Sequence, residues 1–403
     1  MDSSKPKFAF VALIGSMMML AALSTDMVLP AFPSIANRFG ISISEVQLIL
    51  IAFMFGHALP HLVIGSVADR FGRRPVLIGG LVIFGLGGAI CLAAPNFSWV
   101  LIGRFVQGLG SATGPILARA ILRDLFQGAK LGQYLSFSMV VFTVGPLLAP
   151  GIGTLLLTQV SWRAIFVLLA LVAVALTLWV FYALPETLVK PNLRALDLRV
   201  TLQNGWRVLR NPQSSVMVLI ISLFHGSLIA YLVSSPGIYM NYFEVNEVQF
   251  SLIFASIASL LLPGNIINAL LLKKYSPVRI LGYALALNFV VGVVMFLQTS
   301  FGWATVFTLT INLASFFFCF ALVLTNATTL AIDPHKTRAG VASGLLGFVQ
   351  MIGGTLLGSL VGKYVAIGPT PLGLGMVLIA TTILIIFLIS QRLAPSFCPT
   401  NTS

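Results

Sequence analysis

FAFVALIGSMMMLAALSTDMVLPAFP, residues 8–33, holds a single charged side chain, Asp26, and no other charge falls between Lys7 and Arg38. At 1.5 Å per residue such a stretch is long enough to cross roughly 30 Å of hydrocarbon as a helix. A carboxylate at that depth is costly to ionise, and an acidic residue kept inside a span is a candidate functional site. Its protonation then depends on what else occupies its surroundings, which is the property that a proton-coupled carrier needs.

The rest of the chain follows the same pattern. Its 403 residues are 58% apolar and only 8% charged, outside the range of soluble globular domains and within that of polytopic membrane proteins. Twelve apolar runs of about 20 residues are long enough to span a bilayer. They cover residues 8–35, 44–68, 75–94, 99–122, 133–158 and 162–184, then 214–239, 249–272, 278–297, 303–332, 337–365 and 372–391. The fold class expected is therefore an all-α membrane protein of twelve transmembrane helices in two six-helix bundles.

Lysine and arginine set the orientation, because cytoplasmic loops carry the positive excess. With the N-terminus inside, 19 of the 23 basic residues fall on the cytoplasmic side, Arg38, Arg163 and Lys363 fall outside, and Arg104 lies within a span. An even number of spans places both termini in the cytoplasm. The net charge of +13 sits in short loops beside the spans, where it answers to topology and anionic lipid head groups and not to nucleic acid. Three cysteines, Cys91, Cys319 and Cys398, form no disulfide framework, and no signal-peptide cleavage site follows the first apolar run.

Residues 185–212 form the one long polar connection and divide the chain into a bundle at 1–184 and a bundle at 213–403. Within the connection, Leu193, Leu196, Val200 and Trp206 alternate with Arg194, Arg199, Arg207 and Arg210. Two readings fit: a helix lying in the cytoplasmic interface, or a plain linker. Two parallel halves joined in this way are expected to enclose a site near the midplane.

Helical spacing gathers Arg104, Gln107, Gly108, Ser111, Pro115 and Arg119 on one side of the fourth span, a polar stripe suited to a wet cavity. Arg104, about 8 Å from the outer end of its span, and Asp26, about 10 Å from the outer end of the first, share a depth. A direct or water-bridged interaction between them is expected, the alternative being that Arg104 ties helices together through backbone carbonyls. Asn312, Ser315, Cys319 and Asn326 align on the tenth span, as cavity lining or as polar glue between helices. His57 and His61 stand one turn apart on the second span. Packing, cavity lining or proton relay each fit them, and no cysteine or carboxylate is at hand to complete a metal site. His225 is a lone histidine in the seventh span.

Several motifs together resemble the major facilitator superfamily. GSVADRFGRRP (65–75), with Asp69, Arg70 and Arg73, is similar to its signature between the second and third spans. TDMVLPAFPSIA (25–36), RFVQGLGSA (104–112) and GPLLAPGIG (145–153) resemble motifs of drug:proton antiporters, specifically the bicyclomycin- and chloramphenicol-resistance type, as do ARAILRDLF (118–126), NATTLAI (326–332) and GVASGLLGFVQ (340–350). The resemblance touches both halves.

It implies a proton-coupled antiporter of the bacterial inner membrane, exporting a small organic compound by alternating access, with Asp26 and Arg104 in proton coupling. Gln107, Ser111, His57, His61, Asn312 and Asn326 are expected to line the substrate cavity. Asp69 facing the start of the eleventh span near Thr337, and Arg73 pairing with Asp124, are expected to latch an inner gate. Gly145, Pro146, Pro150 and Gly153 are expected to form a tight helix contact that limits leakage. Export of a drug, or of a siderophore, amino acid or nucleoside made by the host, and proton symport by the same fold all remain open. The chain is expected to work as a monomer with protons as coupling ion, without cofactor or metal, and not as an enzyme.

Overall fold

The computed structural model describes residues 8–192, 198–364 and 368–393. Eighteen α-helices, with short 3-10 and π segments between some of them, make up most of the described chain, and no strand occurs among the described residues. Contacts divide the chain into two units, Met1–Leu198 and Arg199–Ser403.

In the first unit the chain runs through α1 (Phe8–Asp26), a short turn of 3-10 helix (Leu29–Ala31), α2 (Phe32–Phe39), α3 (Ile43–Val46) and α4 (Leu48–Ala58). A second 3-10 turn (Leu59–Leu62) leads to α5 (Ile64–Phe71), α6 (Arg73–Ala93), α7 (Phe97–Ser111), α8 (Thr113–Leu125), α9 (Gly128–Gln159) and α10 (Trp162–Ala183). Here α1 packs on α9, α4 on α7, and α6 on α7 and α10. After α11 (Leu198–Leu209), the second unit comprises α12 (Pro212–Pro236), α13 (Glu247–Ser259), α14 (Leu261–Leu271), α15 (Pro277–Ser300), α16 (Val306–Ile332), α17 (Ala339–Gly362) and α18 (Thr370–Leu393). In it α12 packs on α17, and α15 lies between α16 and α18.

Eleven of these helical segments are long and apolar enough to cross a membrane. The expected fourth span is α7 followed by α8, which the break at Ala112 divides into pieces of 15 and 13 residues, each too short on its own. The first span also departs from a straight helix. It stops at Asp26 and resumes only after Pro30, so the carboxylate stands at a helix end and not in mid-helix. Proline explains both this break and the one after Ala58, where Pro60 lacks the amide needed to continue the ladder.

Two close approaches fix the first unit. A methyl group added at Gly56 would fall 2.1 Å from Phe105 O, and one at Gly108 would fall 2.2 Å from Phe53 O. The backbones of α4 and α7 thus touch reciprocally through two glycines, as small residues permit in membrane bundles. Part of the connection is helical, as α11, whereas Leu193, Arg194 and Leu196 lie outside the described residues, as does Cys398.

Candidate functional site

Asp26 is the one buried carboxylate among the described residues, at 5% exposure. The Thr25 hydroxyl lies 3.0 Å from its Oδ1, and no ion pair reaches it. Immediately after it, Met27 O faces Gly153 of α9 so closely that a methyl group there would come within 2.1 Å. The glycine motif of α9, with Pro146 and Pro150 inside an unbroken helix, therefore presses against the break that carries the carboxylate, and Gly145 abuts Met19 about two turns earlier.

Arg104 is fully buried. Its Nη1 donates to Ser24 Oγ (2.7 Å) and to Gln107 Oε1 (2.9 Å), its Nε to Ile49 O (3.4 Å), and the guanidinium lies 4.4 Å from the centre of the Phe53 ring. The expected direct contact with Asp26 is not made. Ser24 and Asp26 are two residues apart on α1, about 200° around its axis, so a helix that turns Ser24 toward α7 turns Asp26 away. Arg104 thus joins α1, α4 and α7 through a hydroxyl, a carbonyl, an amide and an aromatic face. Its Nη2 and the Nε2 of Gln107 are buried donors with no protein partner. Buried polar atoms are rarely left unbonded, so both are suited to water or to an acceptor group on a bound compound.

The stripe continues along the same pair of helices. Ser111 donates to Gly108 O (2.8 Å), which leaves its oxygen to accept from Nδ1–H of His57 at 2.7 Å, a tautomer assigned from this network. His57 lies in the last turn of α4 and His61 sits in the 3-10 turn that follows. Their rings are 5.3 Å apart, edge to face, and Nε2 of His61 is buried without a protein partner. No group of three or more metal-binding side chains occurs among the described residues.

The two asparagines of α16 each donate to a neighbouring helix, while Oδ1 of Asn326 is buried without a protein partner. Asn312 Nδ2 donates to Gln298 Oε1 of α15 (2.8 Å), and Asn326 Nδ2 to Asn268 Oδ1 of α14 (2.6 Å). This is the polar clasp between helices that the sequence left as the alternative to cavity lining.

At the loop between α5 and α6, Arg73 pairs with Asp69 (2.5 Å) and with Asp124 at the end of α8 (3.0 Å). The expected approach of Asp69 to Thr337 lies outside the described side chains. Sequence reasoning missed three further members. Glu186 accepts from the backbone amides of Arg73 (2.9 Å) and Arg74 (3.1 Å) at the start of α6, and from those of Thr187 and Leu188 (2.9 Å each). Thr187 Oγ1 donates to the same Asp124 oxygen that Arg73 holds, and the amide of Asn192 donates to Asp69 O. Against the partial desolvation that raises it, these four amides hold the Glu186 carboxyl below the usual carboxylate range. Gly72, at φ +102°, brings the backbone against Glu186 in a conformation that disfavours any side chain. One signal was present. The first turn of α6 holds Arg73 and Arg74 and no acid, so its positive end needed an anion from elsewhere in the chain.

A sequence profile described as the Major Facilitator Superfamily matches residues 14–358. The chain belongs to the major facilitator superfamily. Among curated relatives it is 30% identical over 362 residues to an uncharacterized transporter of this type, YdgK of Bacillus subtilis, covering 89% of this chain and 90% of that one. It is 28% identical to a bicyclomycin resistance protein homolog of Haemophilus influenzae, covering 98% and 99%, and 27% identical to multidrug resistance protein D of Escherichia coli, covering 89% and 90%. The fold is shared with the crystal structure of the human organic anion transporter MFSD10 (TM-score 0.70, 19% identity, 96% of this chain and 100% of that one). It is shared also with that of a D-xylose-proton symporter (TM-score 0.68, 16% identity, 93% and 96%). As a member of this superfamily the chain is a multi-pass membrane transporter of small molecules, and not an enzyme.

Proposed function

We propose that this chain is a proton-coupled antiporter that exports a small drug-like organic compound across the bacterial inner membrane by alternating access, with both termini in the cytoplasm. The observation that carries the reading is the burial of Asp26, unpaired with any cation, at a break in the first span against Gly153. Such a carboxylate exchanges its proton when its surroundings change, and each charge carried with the membrane potential contributes about 2.3 kcal/mol per 100 mV. Relatives named for bicyclomycin and multidrug resistance support a drug as the cargo. Arg104 Nη2 and Gln107 Nε2 offer donors for a carbonyl or hydroxyl oxygen, which favours a neutral or weakly charged compound.

Everted vesicles loaded by an imposed pH gradient provide the test, with bicyclomycin, chloramphenicol and ethidium as probes. Accumulation of a probe that collapses with the proton gradient supports antiport. Loss of accumulated probe when the gradient is imposed would instead show a symporter.

A further inference from the structure

The turn from α14 to α15 carries Lys273, Lys274 and Arg279, all exposed and none in an ion pair among the described residues. No Asp or Glu occurs anywhere from residue 248 to residue 332, so this positive cluster has no acidic neighbour in its own helices. Beside it lies a half-open cavity of about 350 Å³, lined by Leu271, Tyr275, Ile280, Tyr283 and Leu322. Its floor, Leu322, is 6% exposed, while Tyr283 at its rim is 72% exposed. The positive end of the 24-residue α15, capped by Ser276, opens at the same turn.

Basic groups, interfacial tyrosines and an apolar furrow in this order, from loop into span, match an amphiphile that has a negative head and a hydrocarbon tail. A soluble anion would find the charges and have no use for the furrow. A neutral lipid would find the furrow and gain little from the charges.

We propose that this turn and cavity form a binding site for one anionic phospholipid, with its phosphate held by Lys273, Lys274 and Arg279 and an acyl chain seated against Tyr275, Tyr283 and Leu322. A lipid in this place joins α14, α15 and α16 at their basic end. The proposal is independent of what the transporter carries. Each basic residue near an anionic lipid surface is worth about a fivefold factor in affinity, so the three together select strongly against zwitterionic lipid.

Native mass spectrometry of the purified full-length protein, titrated with phosphatidylglycerol and with phosphatidylcholine of the same chains, tests this. The expected result is one phosphatidylglycerol bound at least about tenfold more tightly than phosphatidylcholine. K273Q/K274Q/R279Q, changing exposed side chains only, is expected to abolish that preference while leaving the melting temperature unchanged. Leu322→Trp, which fills the cavity, is expected to weaken both lipids, and Tyr283→Ala, at an exposed position, does the same if the tryptophan variant does not fold. Equal binding of the two lipids to the wild type would overturn the proposal, as would a preference that survives the triple substitution. Binding unchanged in both cavity variants, or phosphatidylglycerol displaced by an equal concentration of inorganic phosphate, would show that the furrow takes no part and would likewise overturn it.

Discussion

At the scale of single residues, the site is a set of polar groups held by α1, α4 and α7, and the choice of partner decides each role. Arg104 works as a fork, with Nη1 serving Ser24 and Gln107 together while Nε reaches Ile49 O. A lysine keeps the charge and cannot serve three partners from two nitrogens. Arg104→Lys is therefore expected to lower probe efflux by about tenfold or more, the worth of one or two hydrogen bonds to a charged group, with normal amounts of protein in the membrane. Efflux at the wild-type rate would show that Arg104 contributes charge alone. Asp26 and Arg104 stood out in the sequence because ionisable residues in spans are rare, and the structure buries both. Their separation was not legible there. It follows from where α1 stops and how far it has turned by then, and both are set by Pro30 and by the contact of Gly153 with Met27.

At the scale of helices, the first unit is held by close backbone contacts and by a loop network. Gly108 faces Phe53 O and the amide of His57. Gly108→Val must push α4 and α7 apart and is expected to destabilise the protein by about 1–3 kcal/mol, the usual cost of overpacking, read as a lower melting temperature of the purified protein. An unchanged melting temperature would mean that the helices part freely. The network at the start of α6 makes a second prediction. Because the folded protein holds the Glu186 carboxyl below its ordinary value of 4.5, its contribution to stability is complete above that value and is lost as pH falls through the lowered one. The wild type is therefore expected to lose its stability advantage over Glu186→Gln on acidification, by a small amount because the carboxylate is exposed. A difference between the two that is constant with pH would show that the carboxylate's charge is not used. Arg73 and Asp124 could be paired from the sequence by their motifs. Glu186 could not, because it lies 113 residues from Arg73 and the bond depends on how the chain returns after α10.

At the scale of the whole molecule, length, apolar content and the spacing of charges fixed the expectation of a membrane helix bundle, and membership of the major facilitator superfamily agrees with it. The fourth span was legible as one apolar run from 99 to 122, but its division at Ala112 into α7 and α8, of 15 and 13 residues, was not. The positive excess on one side predicts the topology. Green fluorescent protein fused after the last residue is expected to fluoresce, and alkaline phosphatase fused in the turn between α6 and α7 to be active, whereas the reverse pattern would invert the orientation. The central claim, that one buried carboxylate couples proton entry to export, is tested most directly by uphill probe accumulation in everted vesicles containing Asp26→Asn. The account predicts that accumulation is lost while downhill exchange of the probe persists. Accumulation at the wild-type level without this carboxylate would contradict it.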